Sequence, residues 1–195
     1  SSLPCVVVVD EAYVDFSPVP SACSLVHTHP NVVVTQTFSK AFGLAGIRLG
    51  SAFGNEKVIQ LMNNVKAPYN VNKLTARVAA DALGDLSVFW QRVRSIEEAR
   101  AHLAQELQAL PFVQRVYPSH ANFVLARLPK ALEVYKRMAG GPAKVVTRFR
   151  GSEPHCHDCL RITVGTPEEN ATLIAALKAT AKELGVTAAA AAAAE

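Results

Sequence analysis

Val6-Val7-Val8-Val9 is an apolar run without alternation that stops at an acid, Asp10. That is the pattern of a strand buried on both faces of a parallel sheet. A second run, Val32-Val33-Val34, ends in Thr35-Gln36-Thr37-Phe38-Ser39-Lys40. The roughly 20 residues between the runs are enough for a crossover, so both strands can lie parallel with their carboxyl ends at one edge. In open α/β sheets ligands bind at that edge, so the residues just past each strand are the ones to examine. Gly43, Gly46 and Gly50 punctuate the next stretch, and Leu49 to Phe53 read as a further strand ending at Gly54-Asn55.

Helical spacing then takes over. Val58, Ile59, Leu61, Met62 and Val65 form one apolar face behind an Asn55 cap, with Pro68 as the stop; Leu74, Val78 and Leu83 form another before Gly84. From Leu86, apolar positions at Phe89, Val93, Ile96, Leu103, Leu107 and Leu110 keep steps of three, four or seven, which predicts one long helix that suits a connector between lobes. Beyond Pro111 the texture is that of a small α+β lobe. Strands are expected at Val113 to Tyr117, at Phe123 to Leu128 and around Val145 and Leu160, with a helix through Leu132, Tyr135 and Met138 before Gly140-Gly141-Pro142. Thr166-Pro167-Glu168-Glu169 reads as a capping box, opening a helix whose Ile174, Leu177, Ala181 and Leu184 face the core until Gly185. The expected organisation is therefore 1–85 as part of a large α/β domain, 86–110 as an interdomain helix, 111–187 as a small domain and 188–195 as an Ala-rich tail.

Composition narrows the function classes. Half of the 195 residues are apolar, which excludes a disordered chain, and no apolar run approaches the roughly 18 to 20 residues that span a bilayer. A net charge of +4 is small and scattered, giving no argument for nucleic acid while allowing a small anionic ligand. Four cysteines make no disulfide framework, and Cys5 fits as a small buried thiol at the start of a strand. With no charged and then apolar leader after Ser1, a reducing, cytoplasmic setting is the expectation. His155-Cys156-His157-Asp158-Cys159 crowds potential zinc ligands into five residues, too close for all to reach one tetrahedral ion, so a polar loop is the reading and a metal module its minor rival.

Two segments carry candidate chemistry. In Asp10-Glu11-Ala12-Tyr13, a carboxylate and a phenol three residues apart can face one ligand from a strand end, although on its own the segment reads better as Asp10 capping a turn. In Thr37-Phe38-Ser39-Lys40-Ala41-Phe42-Gly43-Leu44-Ala45-Gly46-Ile47-Arg48, an apolar, glycine-rich setting favours the neutral amine that a Schiff-base lysine needs. The hydroxyls and Arg48 are phosphate ligands by chemistry. Taken singly, Lys40 and Arg48 are surface charges; their joint occurrence after Asp10 and Tyr13 changes the odds.

Together, DEAYVDF at 10–16, TFSKAFGLAGIRLG at 37–50, APYNVN at 67–72, PSHANFVLAR at 118–127 and CLRITVGTPEEN at 159–170 resemble histidinol-phosphate aminotransferase. The resemblance runs in the family's order to about residue 184 and corresponds to the C-terminal half of such an enzyme. It implies part of the large domain of a fold type I, pyridoxal-phosphate-dependent transferase plus the small C-terminal α+β domain. It further implies pyridoxal 5'-phosphate as cofactor, with Lys40 as its Schiff-base lysine, Asp10 on the pyridine nitrogen, Tyr13 on the phenolic oxygen, and Thr37, Ser39 and Arg48 on the phosphate. A carboxylate about 4 Å from a pyridinium is worth roughly 4 kcal/mol at an effective dielectric near 20, enough to keep the ring protonated.

Substrate contacts follow from the same resemblance. Arg161 matches the arginine for the α-carboxylate and Arg148 one for the substrate phosphate. Asn122 orients cofactor or carboxylate, or is a turn residue before a strand; Asn70 is a weaker candidate. The implied reaction exchanges an amino group between glutamate or 2-oxoglutarate and imidazole-acetol phosphate or histidinol phosphate, in a homodimer as the intact enzyme, with no nucleic-acid or membrane partner and no metal. The rival expectations are a non-catalytic fragment and a related aminotransferase or decarboxylase with another substrate.

Overall fold

The computed structural model describes residues 3–142 and 144–187, so the Ala-rich tail lies outside the described residues. The chain divides into two compact units between Val93 and Arg94.

In the first unit, β1 (Val7–Asp10) pairs in parallel with β2 (Val32–Thr37), and β3 (Gly50–Gly54) pairs antiparallel with β2 on its other side. The crossover joining β1 to β2 holds two 3-10 helices, Val14–Phe16 and Ala22–His27, and buries Phe16 completely. The central strand is buried as its apolar run predicts, with Val32, Val33 and Val34 at 5% exposure or less. The first run departs from expectation: Val6 and Val8 are exposed, and so is Cys5, which precedes the strand. The physical reason is position, because β1 is an edge strand here and only one of its faces is covered among the described residues.

Helices α1 (Glu56–Val65) and α2 (Lys73–Gly84) follow, each opened by an asparagine whose side chain accepts a backbone N–H: Asn55 from Lys57, Asn72 from Thr75. Their apolar faces are present but largely solvent-facing, with Val65 85% and Leu74 80% exposed. The long predicted helix is α3 (Ser87–Gln108), and the boundary between the units falls within it.

The second unit contains an antiparallel sheet in the order β4 (Arg115–Tyr117), β5 (Phe123–Arg127), β7 (Cys159–Thr163), β6 (Arg148–Phe149). The strand expected around Val145 lies later, at Arg148, because Arg148 and Phe149 rather than the Val145-Val146 pair reach β7. Alternation along β5 and β7 sends Val124, Ala126, Leu160 and Ile162 to one face, where they meet Leu103 and Leu107 of α3, Val134 and Met138 of α4 (Ala131–Gly140) and Leu177 of α5 (Pro167–Glu183). Each Val, Leu, Ile or Met among them contributes about 1.5 to 3 kcal/mol by leaving water, so this face is the hydrophobic core. The capping box forms as predicted, with Glu169 N–H donating to Thr166 Oγ1 and Thr166 N–H to Glu169 Oε2. Gly185, at φ +63°, ends α5 by letting Val186 N–H return to Ala181 O.

Candidate active site

The strand registers gather the first unit's candidate residues at one sheet edge. Asp10 stands opposite Thr35, so Tyr13 and the segment from Thr37 to Lys40 leave the sheet at the same end; Thr37 stands opposite Gly50, which brings Arg48 to that end from the antiparallel strand. Gly50 is required there, since a Cβ would sit 2.8 Å from Gln36 O.

Lys40 Nζ lies over the Tyr13 ring, 5.4 Å from its centre, and has no ion-pair partner among the described residues. Thr37 Oγ1 accepts Ser39 N–H at 3.1 Å and reaches Leu49 O at 3.4 Å, tying the two hydroxyl residues to the start of β3. Asp10 Oδ1 accepts Ala12 N–H at 3.1 Å, so the turn-capping reading of this residue holds alongside its place at the edge. Arg48 adopts the left-handed conformation at φ 54° and its guanidinium donates to Ala45 O, within its own loop; among the described residues no hydrogen bond joins it to Thr37 or Ser39.

Two supporting residues escaped the sequence reading. The carboxylate of Glu11 accepts from Ser21 Oγ at 2.6 Å, Ala22 N–H at 2.6 Å and Gln36 Nε2 at 3.0 Å, fastening the crossover to the central strand. Burial pushes Glu11 up, but the bonds from Ser21, Gln36 and Ala22 outweigh it and hold the acid below its ordinary value. Nearby Asp15 moves the other way, raised by burial and then by the Glu11 charge. A depressed carboxylate stabilises the fold above its unfolded pKa of about 4.5 and loses that stabilisation as pH falls through the folded value. Glu11→Gln is therefore expected to flatten the acid side of the stability profile and to let Asp15 ionise at lower pH. Denaturant unfolding between pH 3 and 7 checks the first; an unchanged acid limb would rule out Glu11 as its source.

The other is Arg92, whose Nη1 donates to the carbonyls of Phe42 and Ala41 just past Lys40. Its guanidinium fills the space beside Gly43, where φ is +68° and a Cβ would come within 3.0 Å of Nη1. The rings of Phe38, Phe42 and Phe89, tilted against one another with centres 4.8 and 4.4 Å apart, brace the same loop. Arg92 lies some fifty residues downstream, and no local signal ties it to the lysine loop.

In the second unit, Arg148 and Arg161 are direct cross-strand partners on β6 and β7, on the sheet face opposite the core. Like charges in that position repel by about 0.2 to 1 kcal/mol. Arg161 lies over the Phe123 ring at 5.1 Å, and its Nε is buried without a hydrogen-bond partner. A buried donor left unpaired costs about 1 to 3 kcal/mol, more for a charged group, so this arginine is poised for an anion. Asn122 accepts Val164 N–H on its backbone oxygen, and Asn70 is exposed. No group of three His, Cys, Asp or Glu suited to a metal gathers among the described residues.

The family model for aminotransferases of class I and II matches residues 2–177. The chain belongs to that family. A histidinol-phosphate aminotransferase of Flavobacterium johnsoniae is 46% identical over 172 residues, covering 88% of this chain and 49% of the relative. Among solved structures, the histidinol-phosphate aminotransferase of Sinorhizobium meliloti in complex with pyridoxal-5'-phosphate superposes with a TM-score of 0.83 at 27% identity, over 92% of this chain and 49% of that one. The L-threonine-O-3-phosphate decarboxylase of Porphyromonas gingivalis gives 0.78 at 26%, over 90% and 55%. The chain thus spans about half the length of the curated relatives it matches, and its fold is the α/β fold of the fold type I aminotransferases.

Proposed function

We propose that this aminotransferase chain carries the lysine, cofactor contacts and substrate arginines of a histidinol-phosphate aminotransferase using pyridoxal 5'-phosphate. The observation that carries the reading is the convergence of Asp10, Tyr13, Thr37, Ser39 and an ion-pair-free Lys40 on one sheet edge. The donor set fits the cofactor: a carboxylate for a ring nitrogen, a phenol for a ring oxygen, hydroxyls and Arg48 for a phosphate, and an amine for an aldehyde.

When bound, pyridoxal phosphate supplies an aldehyde that takes up the amino group and a protonated ring that draws off the electron pair left by the departing α-proton. Asp10 holds the proton on the ring nitrogen. Lys40 takes the proton from the substrate α-carbon, positioned acid–base work worth about 10²- to 10⁴-fold. Arg161 and Arg148 receive the anionic end of the substrate. One fork suits the carboxylate of glutamate and two adjacent forks suit a phosphate dianion, and the two anions alternate in one site when the enzyme exchanges partners by a two-stage route.

On this reading residues 1–85 belong to the large domain, 86–110 connect and 111–187 form the small domain. The intact enzyme is a cytoplasmic homodimer, in keeping with exposed apolar side chains such as Val65, Leu74 and Leu83.

The test adds pyridoxal phosphate to the purified protein, reduces it with borohydride, maps the labelled peptide, and assays amino transfer from histidinol phosphate to 2-oxoglutarate. Label on Lys40 with transfer to 2-oxoglutarate is the expected result. Label on Lys40 with release of carbon dioxide from threonine phosphate would move the substrate to the decarboxylase reading, and a protein that takes up no cofactor would overturn the proposal.

A further inference from the structure

Outside the transfer chemistry, the segment 150–159 is a run of turns closed every three residues. Glu153 N–H donates to Arg150 O at 2.9 Å, Cys156 N–H to Glu153 O at 3.1 Å and Cys159 N–H to Cys156 O at 3.0 Å, while Arg150 N–H returns to Cys159 O at 2.9 Å. An Arg150–Glu153 ion pair spans the first turn, and Gly151 lies so close to the Phe149 ring that no Cβ fits. The last turn is Cys156-His157-Asp158-Cys159. Asp158 takes the left-handed conformation, φ 53°, at its third position, as in a type II turn.

A hydrogen-bonded four-residue turn holds its end Cα atoms within about 7 Å, and disulfides form across roughly 4.4 to 6.8 Å. Burial pushes the Cys159 thiol up most and Cys156 pushes it further, against the opposing pull of Tyr117 and Arg127. Their accessibility differs in a useful way: Cys159 is fully buried, with its sulfur 3.5 Å from His157 O, whereas Cys156 is half-exposed. A reagent from solution therefore meets Cys156, and Cys159 is reached from Cys156.

We propose that Cys156 and Cys159 form a thiol–disulfide exchange pair, in which Cys156 reacts with a small-molecule disulfide and Cys159 resolves the adduct into an internal disulfide. With glutathione disulfide as oxidant, the Cys156 thiolate attacks one sulfur; the new bond forms as the glutathione S–S bond breaks and one glutathione thiolate leaves. Cys159 then attacks the Cys156 sulfur, its proton passing to the second glutathione sulfur as that leaves. The cysteine pair loses two electrons and two protons, and the oxidant becomes two glutathione thiols. The backbone turn exists before oxidation, so the internal bond closes a geometry already made. Cys159 also shares a face of β7 with Arg161, two residues on, which sets the pair beside the arginines without using them.

The test uses the full chain with Cys5→Ser and Cys23→Ser, exposed to glutathione disulfide and read by alkylation and mass spectrometry. The expected product is a Cys156–Cys159 disulfide, reversed by dithiothreitol, with no lasting glutathione adduct. Adding Cys159→Ser should trap one adduct on Cys156, and adding Cys156→Ser should leave Cys159 reacting at least about tenfold more slowly than Cys156. Closure of the internal bond should also run at least about tenfold faster in the native chain than in denaturant, through the higher effective concentration of the held turn. A lasting adduct on the unmutated pair, two thiols still alkylatable after oxidation, or native closure no faster than unfolded would each overturn the proposal.

Discussion

Lys40→Ala is expected to abolish amino transfer while leaving the fold intact. Proton transfer alone accounts for about 10²- to 10⁴-fold, and loss of the covalent anchor adds to it. Among the described residues the side chain makes no ion pair, and it lies over the Tyr13 ring at 5.4 Å, an interaction worth about 0.5 to 1 kcal/mol at an exposed site. Stability should therefore change by no more than about that amount, and the two readouts separate. Lys40→Arg is the sharper control, because it keeps the charge over Tyr13 but supplies a group that stays protonated. Single-turnover kinetics with added cofactor, alongside denaturant unfolding, make the comparison; a Lys40→Ala protein within tenfold of the unaltered one would remove the lysine from the mechanism.

The parts legible in advance were those governed by local rules. The Thr166 capping box, the Asn55 cap and the three- and four-residue spacing of α3 depend on residues within a turn or two of one another. The Val32 to Val34 run became a buried central strand because both of its neighbours belong to this chain. The equally apolar Val6 to Val9 run did not, since burial belongs to the surroundings and β1 has a partner on one side only. Within the site, Lys40, Tyr13 and Thr37 were legible because each lies at or within a few residues of the end of an apolar run, in a short motif of its own. Arg92 acts on the same loop from α3, a relation set by tertiary packing. Glu11 was passed over beside Asp10, because its worth lies in three partners from 10 to 25 residues away.

The partnership of Arg148 with Arg161 belongs to this second class, since a folded run of turns separates them in sequence and only the β6 register makes them neighbours. It leads to an experiment in which activity and stability move independently. Charge-assisted hydrogen bonds contribute about 1.5 to 3 kcal/mol, so Arg161→Ala should raise KM for glutamate by roughly 10- to 150-fold and alter kcat less. Its stability should hold or rise. Removing the arginine forfeits a contact with Phe123, about 0.5 to 1 kcal/mol, but relieves repulsion from Arg148 and the unpaired burial of its own Nε, about 0.2 to 1 and 1 to 3 kcal/mol. Arg161→Lys restores charge without the fork and should recover only part of the lost binding. Arg148→Ala should raise KM for histidinol phosphate more than for glutamate, because a dianion draws on the second guanidinium and a carboxylate does not. Equal effects of Arg148→Ala on both substrates would show that the pair does not divide its work by charge, and unchanged KM values in Arg161→Ala would detach β7 from substrate binding.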